Sequence, residues 1–385
     1  MISQRRNIWL RVALVVVLAV GVAVLPSALW LFGLAAVLGL AGVVLLRGER
    51  WRTGSLLVAA LAVGFVLLDA IAGWLSPAPM GVGVVRMTDP KDWTSADPLL
   101  GYRPRPGIKV LASATFGAES VYRVTYTIGP TGARATPPAP AGADTYIFLG
   151  DSFVFGEGLT DDQHLAAQFA KARDFKVRTV TFAAPGYGPN HLVRALETGL
   201  LDGLKGQPVK AVVIWIIPAH LARVTGDGSW LGSSPGYVLD DGVPRHTGSF
   251  SEHRWRNPLA GLAYLAGEQF PFIKAIDARQ REAEQAELFV ALLARLRELA
   301  RERFGAPLVA IYSWPDIYPG ISTGTPGPLE ALLARIRQTG VPLLSVDNLT
   351  RNRDMAVALI PHDGHPTAFT NELIAGELKR RLSLP

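Results

Sequence analysis

The sequence predicts an α/β fold, with a mostly parallel sheet covered by helices on both faces, behind a membrane anchor of three N-terminal helices. Two observations predict the sheet. Short apolar runs at 145–149, 177–182, 209–217, 307–312 and 342–346 alternate with helical patterns at 191–201, 275–304, 328–340 and 374–382. The runs are apolar at nearly every position, as in strands buried on both faces rather than one. A third observation predicts the anchor: three apolar stretches in series before residue 76.

Those stretches cover about 8–25, 28–46 and 55–75. Each approaches the ~20 residues that cross a bilayer core as a helix. Pro26-Ser27 separates the first two, and Arg47-Gly48-Glu49-Arg50-Trp51-Arg52 the second and third. A cleaved signal peptide would show one short apolar core, not three spans in series. Arg5, Arg6 and Arg11 flank the first span, and Arg47, Arg50 and Arg52 the next boundary. The positive-inside rule then places the N-terminus and the Arg loop in the cytoplasm and everything after Leu75 outside. The expected location is the inner cell membrane, multi-pass, with the main domain periplasmic or extracellular. Asp69 is the one acid inside the third span, expected to face neighbouring helices or the interface.

The chain has 385 residues, no cysteine and a formal charge of +6. Thiolate nucleophiles, disulfides and Cys-based metal sites are excluded. Six Arg against Glu49 and Asp69 put four of those charges in the anchor. The basic excess is mostly a topology signal, and no basic stripe with interleaved aromatics suggests nucleic acid. The absence of a Gly-rich phosphate loop or an HExxH run leaves no metal or cofactor expected.

Residues 77–142 read as a linker, about 77–93, followed by a small β region. Val121 to Ile128 is rich in β-branched and aromatic residues and ends at Gly129-Pro130. The main domain is expected over 143–385. An insertion at about 225–270 breaks its rhythm, with Tyr237 to Val243 forming a hairpin.

The chemistry-bearing residues stand at the two ends of that domain. Strand 145–149 stops at Gly150-Asp151-Ser152, which puts a serine hydroxyl at the carboxyl end of a core strand, where α/β sheets form their crevice. A serine is a weak nucleophile without a base. His362-Asp363-Gly364-His365-Pro366 supplies one. His365 is the natural base and Asp363 its orienter. His362 competes with His365, and spacing alone leaves the choice open.

These blocks resemble the SGNH/GDSL hydrolase superfamily, from Thr145 to the C-terminus. The resemblance implies that Ser152 is the nucleophile and that Asp363 and His365 complete a triad. It also implies that a second block gives a glycine N–H to the oxyanion hole. Ala183-Ala184-Pro185-Gly186-Tyr187-Gly188-Pro189-Asn190 resembles that block, with Gly186 the first choice and Gly188 the second. Leu100-Gly101-Tyr102 and Gly132-Ala133-Arg134 resemble membrane-tethered members acting on envelope glycans or lipids.

The third block departs from the family. Ala219 stands where an Asn is expected and His220 where an Asp is expected. Either Asn190 substitutes as donor, or the N–H groups of Ser152 and Gly186 suffice, or the domain is a weak catalyst or a binding module. His220 is expected on the crevice rim. Trp230, Tyr237 and Trp255 are candidates for stacking on sugar rings, although aromatics in such insertions are more often packing residues. The leading expectation is a membrane-anchored serine esterase or acyl-transfer enzyme. Its partners are the bilayer through residues 8–75, an acylated glycan or lipid substrate, and for transfer an envelope acyltransferase. The alternative is an SGNH-fold component that binds polysaccharide without turnover.

Overall fold

A computed structural model describes residues 29–46, 48–75, 83–276, 278–313, 329–350 and 353–382. The chain divides into two compact units. One joins the N-terminal helices to Asn257–Arg281, and the other comprises Gly81–Arg256 and Glu282–Pro385.

The larger unit begins with two small antiparallel sheets. Strands β1 (Val85–Asp89), β4 (Lys109–Phe116) and β5 (Glu119–Thr127) form one in the order β1-β4-β5. Strands β2 (Thr94–Asp97) and β3 (Gly101–Pro104) form a hairpin. The linker expected over 77–93 is therefore corrected: β1 runs in register with β4 from Val85↔Thr115 to Asp89↔Leu111. Its side chains are mostly exposed, so no apolar alternation marked it.

The main sheet consists of β6 (Thr145–Gly150), β7 (Arg178–Ala183), β8 (Val209–Ile216), β11 (Leu308–Tyr312) and β12 (Leu343–Ser345). Between β8 and β11 stands a hairpin of β9 (Pro235–Asp240) and β10 (Val243–Ser249). The sheet order is β12-β11-β8-β6-β7, and every neighbouring pair is parallel. The chain reverses its direction of winding between β6 and β8, so a crevice opens at their carboxyl ends. Ser152 follows β6 directly.

Side chains alternate across the sheet as the pleat requires. Val212, Ile214 and Ile216 face a core closed by helices Pro189–Glu197, Ala278–Phe304 and Leu329–Gln338. Ala211, Val213 and Trp215 face a second core closed by Ser152–Phe155, Leu165–Ala172 and Ala368–Leu382. Each large apolar side chain buried in this way contributes about 1.5–3 kcal/mol. Those helices make the three-layer α/β/α arrangement. The last helix starts six residues before the expected 374, because Thr367 Oγ1 caps it by accepting from Thr370 N.

The smaller unit contains helices Leu29–Leu45, Glu49–Leu75, Pro258–Gln269 and Pro271–Ile276. The expectation of three spans is corrected to one among the described residues. Glu49–Leu75 alone is long and apolar enough to cross a membrane. Leu29–Leu45 has 17 residues, about 26 Å of helix against a hydrocarbon core of about 30 Å. The stretch at 8–25 lies outside the described residues. The two N-terminal helices pack closely. A Cβ on Gly39 would stand 2.7 Å from Ser55 O, and one on Gly42 2.4 Å from Ser55 Oγ, the close approach that small residues permit. The stretch read as one insertion at 225–270 is shared: the β9–β10 hairpin belongs to the larger unit, and residues from Asn257 to the smaller.

Candidate active site

The turn after β6 is shaped by Gly150. A Cβ there would lie 2.4 Å from Val154 Cγ2, so only glycine lets the strand turn directly into helix Ser152–Phe155. Asp151 caps that helix, Oδ1 accepting from Phe153 N at 3.0 Å. Its Oδ2 accepts from Arg223 Nη1 at 2.7 Å and His220 Nε2 at 3.2 Å. His220 Nδ1 accepts the Ile217 N–H at 3.4 Å, which leaves the ring proton on Nε2 for Asp151. Burial raises the Asp151 pKa, but His220 and Arg223 more than reverse this and hold it far below the ordinary carboxylate range. The rim position expected for His220 is corrected: it is buried beneath the turn that carries the serine. Ala219 opens the helix Ala219–Val224 and offers no side-chain donor.

Ser152 occupies the first position of its helix, where a backbone N–H has no intrahelical partner. The side chain is almost buried, at 6% exposure. The ring of the next residue, Phe153, lies 5.2 Å from the His365 ring. The structure thus brings the two ends of the domain together beside the nucleophile candidate.

A tight turn holds the other pair. Ile360 O accepts from Asp363 N and Gly364 N, and Ile360 N donates to His365 O. Within it, His365 Nδ1 and N both meet Asp363 Oδ1. His362 lies apart from this pair. His362 stacks on Phe116 with centroids 4.0 Å apart and points Nε2 toward Glu119.

Two residues that the sequence did not single out complete the cluster. Arg86, from β1, donates through Nη2 to Asp363 Oδ2 at 2.7 Å and pairs through Nε with Glu157 Oε1 at 2.9 Å. Glu157 Oε2 stands 3.7 Å from His365 Nε2. Glu157, Asp363 and His365 are the one described group of donors close enough together to hold an ion, and the Arg86 guanidinium already bridges both carboxylates. Burial lowers the His365 pKa, but Glu157 and Asp363 outweigh it and leave the imidazole above its ordinary value. Burial raises the Asp363 pKa, but His365 and Arg86 bring it below the ordinary range. Arg86 carried no sequence signal. Glu157 lies five residues past Ser152 but in no motif of its own.

The candidate oxyanion residues separate. Gly186 takes φ +86°, a conformation that favours glycine. A Cβ there would meet Tyr102 Oη at 2.6 Å and Trp230 Nε1 at 3.1 Å. Gly188 is corrected as a donor, since its N–H is given to His191 Nδ1 at 3.0 Å. Asn190 is corrected too: it is buried, and Nδ2 donates to Pro235 O at 2.8 Å, tying this loop to β9. Of the aromatics, Trp230 is exposed beside Gly186, and Trp255 is exposed on helix Phe250–Arg256. Tyr237 is a buried packing residue whose hydroxyl donates to Glu197.

Both motifs ahead of the domain buttress these loops. Tyr102 Oη donates to Pro185 O at 2.5 Å, and Tyr187 Oη to Tyr102 O at 2.6 Å. Arg134 is wholly buried and donates to Phe155 O, Gly156 O and Leu159 O, which places a cation at the end of the serine-bearing helix.

No family model and no curated protein sequence matches the chain. Solved structures to which it is similar include LAE5, an alpha/beta hydrolase enzyme from the metagenome of Lake Arreo. That likeness has 14% identity, covers 62% of this chain and 94% of that one, and has a TM-score of 0.37. A GDSL-like lipase from Bacteroides thetaiotaomicron is 11% identical, covering 64% and 91%, with a TM-score of 0.36. A carbohydrate acetylesterase family member from Sinorhizobium meliloti is 13% identical, covering 63% and 100%, also with a TM-score of 0.36. The functional reading rests on this chain's own side chains.

Proposed function

We propose that the chain is a membrane-anchored serine esterase or acyl-transfer enzyme of SGNH type, acting on O-acyl groups of an envelope glycan or lipid. The observation that carries the reading is the Asp363–His365 pair set against Phe153, next to Ser152 at the sheet's switch point. Asp363 holds the Nδ1 proton, so Nε2 is the basic nitrogen. Ser152 Oγ attacks the ester carbonyl carbon while His365 Nε2 takes the hydroxyl proton. The N–H groups of Ser152 and Gly186 hold the resulting oxyanion. Collapse breaks the ester C–O bond, and His365 returns the proton to the departing alcohol. Water then cleaves the acyl-serine with His365 again as base, or an acceptor hydroxyl takes the acyl group.

The helix Glu49–Leu75 supports anchoring in the inner membrane. The Arg distribution supports a cytoplasmic N-terminus and an external catalytic domain. Trp230 beside Gly186 supports a ring-bearing substrate such as a glycan. A binding role without turnover is favoured by one feature, the missing donor at Ala219. Labelling with a fluorophosphonate separates the two readings: an enzyme gives an adduct on Ser152, and a binding module gives none.

A further inference from the structure

We propose that helices Pro258–Gln269 and Pro271–Ile276 form a re-entrant membrane element, lodged in the leaflet at the carboxyl end of helix Glu49–Leu75 with their apolar side chains on lipid. The inference rests on the membrane anchoring proposed above. It gives a role to a segment that overlaps the insertion expected at about 225–270.

The first observation is depth. This segment belongs to the same compact unit as the anchor helices. Phe65 packs edge-on to Phe270 at 5.2 Å and to Phe272 at 6.1 Å, and Phe32 to Phe270 at 5.4 Å. Pro271 lies against Gly73. Phe65, Asp69 and Gly73 follow one face of the helix at i, i+4 and i+8. Twenty-seven residues make a helix about 40 Å long, about 10 Å more than the hydrocarbon core. Phe65 is ten residues before Leu75, about 15 Å from the helix end. With the helix centred, that contact lies about 10 Å inside the hydrocarbon.

The second observation is Asp69. A carboxylate inside a spanning helix is costly without a partner. Asp69 is 4% exposed, and its Oδ1 accepts the Phe272 N–H at 3.1 Å. That N–H is in the first turn of helix Pro271–Ile276, where the helix offers no partner of its own. The acid that looked out of place in the span is the one that receives the segment.

The third observation is the uncovered surface. Leu259, Leu262 and Leu265 on helix Pro258–Gln269 are 82%, 63% and 58% exposed, and Ile276 is 64% exposed. The helix has 12 residues, about 18 Å, too short to cross the bilayer. Prolines start both short helices, so the chain enters and turns rather than spans. A short apolar helix that is not covered by protein and is joined at depth to a spanning helix fits lipid tails.

The test uses the full chain, whose lack of cysteine allows single labels. Spin labels are placed through Leu259→Cys, Leu262→Cys and Leu265→Cys, with Leu61→Cys as a membrane control and Lys176→Cys as a solvent control. The protein is reconstituted in phosphatidylethanolamine–phosphatidylglycerol vesicles, and collisions with oxygen and with a water-soluble nickel chelate are measured. The expected result is an oxygen-to-nickel ratio at the three leucines several-fold above Lys176 and close to Leu61. A ratio like that of Lys176 at the leucines with a high ratio at Leu61 overturns this inference alone. Low ratios at all four overturn the anchor as well. Label–label broadening, or exclusion of both reagents, assigns the face to a second copy and also overturns it.

Discussion

Arg86 Nη2 donates to Asp363 Oδ2 at 2.7 Å across 277 positions of sequence. The same guanidinium pairs with Glu157, whose other oxygen faces His365 Nε2. A strand outside the main sheet thereby sets the charge around the candidate base.

The two partners pull the imidazole in opposite directions: Glu157 raises its pKa and Arg86 lowers it. A general base acts when neutral, so esterase activity should rise with pH through the His365 pKa. Glu157→Gln should move that rise to lower pH. Arg86→Met should move it to higher pH and reduce the maximal rate by loosening Asp363. Profiles of kcat/KM against pH for the two variants should shift in opposite directions. A common direction would count against this placement.

Asp363→Asn should keep the fold, but the amide oxygen is then needed by the Arg86 donor, which turns the NH2 group to His365 Nδ1 and favours the wrong tautomer. Loss of an orienting carboxylate in such triads costs on the order of 10⁴-fold in kcat. His362→Ala, by contrast, should leave kcat within about twofold, since that ring stacks on Phe116. Steady-state kinetics on one chromogenic ester distinguishes the pair.

Asp151 serves the serine turn through structure. Removing one partner of a buried ion pair costs about 3–5 kcal/mol, so Asp151→Ala should lower the melting temperature sharply. The wild-type carboxyl has a folded pKa well below its unfolded value. Its contribution is therefore complete above the unfolded value of about 3.9 and is lost as pH falls through the folded one. Thermal melts of the detergent-solubilised chain from neutral pH downward should show wild type losing this increment only in strong acid, and Asp151→Ala showing no corresponding step.

Gly186→Ala should remove oxyanion support. The new Cβ would meet Tyr102 Oη at 2.6 Å in a backbone conformation with φ +86°. Losing one such donor costs about 10²–10³ in kcat, with KM for a small ester nearly unchanged. Asn190→Ala should instead lower the melting temperature and leave kcat of the folded enzyme nearly unchanged, because Asn190 holds β9.

The parallel sheet was legible because β6 and β8 are apolar at nearly every position and turn residues bound them. Ser152, Asp363 and His365 were legible as candidates because each stands in a short motif with its own chemistry. Arg86 was not, since β1 is the edge strand of a small antiparallel sheet, its side chains are mostly exposed, and no periodicity marks such a strand. His220 was read as a rim residue because sequence cannot show that its ring turns inward to meet Asp151. Residues 257–270 read as part of one insertion because the partners of this segment, Phe65 and Asp69, are some two hundred residues away in sequence.

Turnover by this route requires Ser152 to form an acyl-enzyme. The direct measurement is p-nitrophenyl acetate hydrolysis by the full chain in detergent beside its Ser152→Ala variant, with intact-mass analysis of each after mixing. The full chain is required because residues 257–281 belong with the anchor helices. The expected result is hydrolysis and an acetyl adduct in the wild type, and neither above background in the variant. Equal hydrolysis by both proteins, or a folded wild type that neither hydrolyses the ester nor gains an adduct, would contradict it.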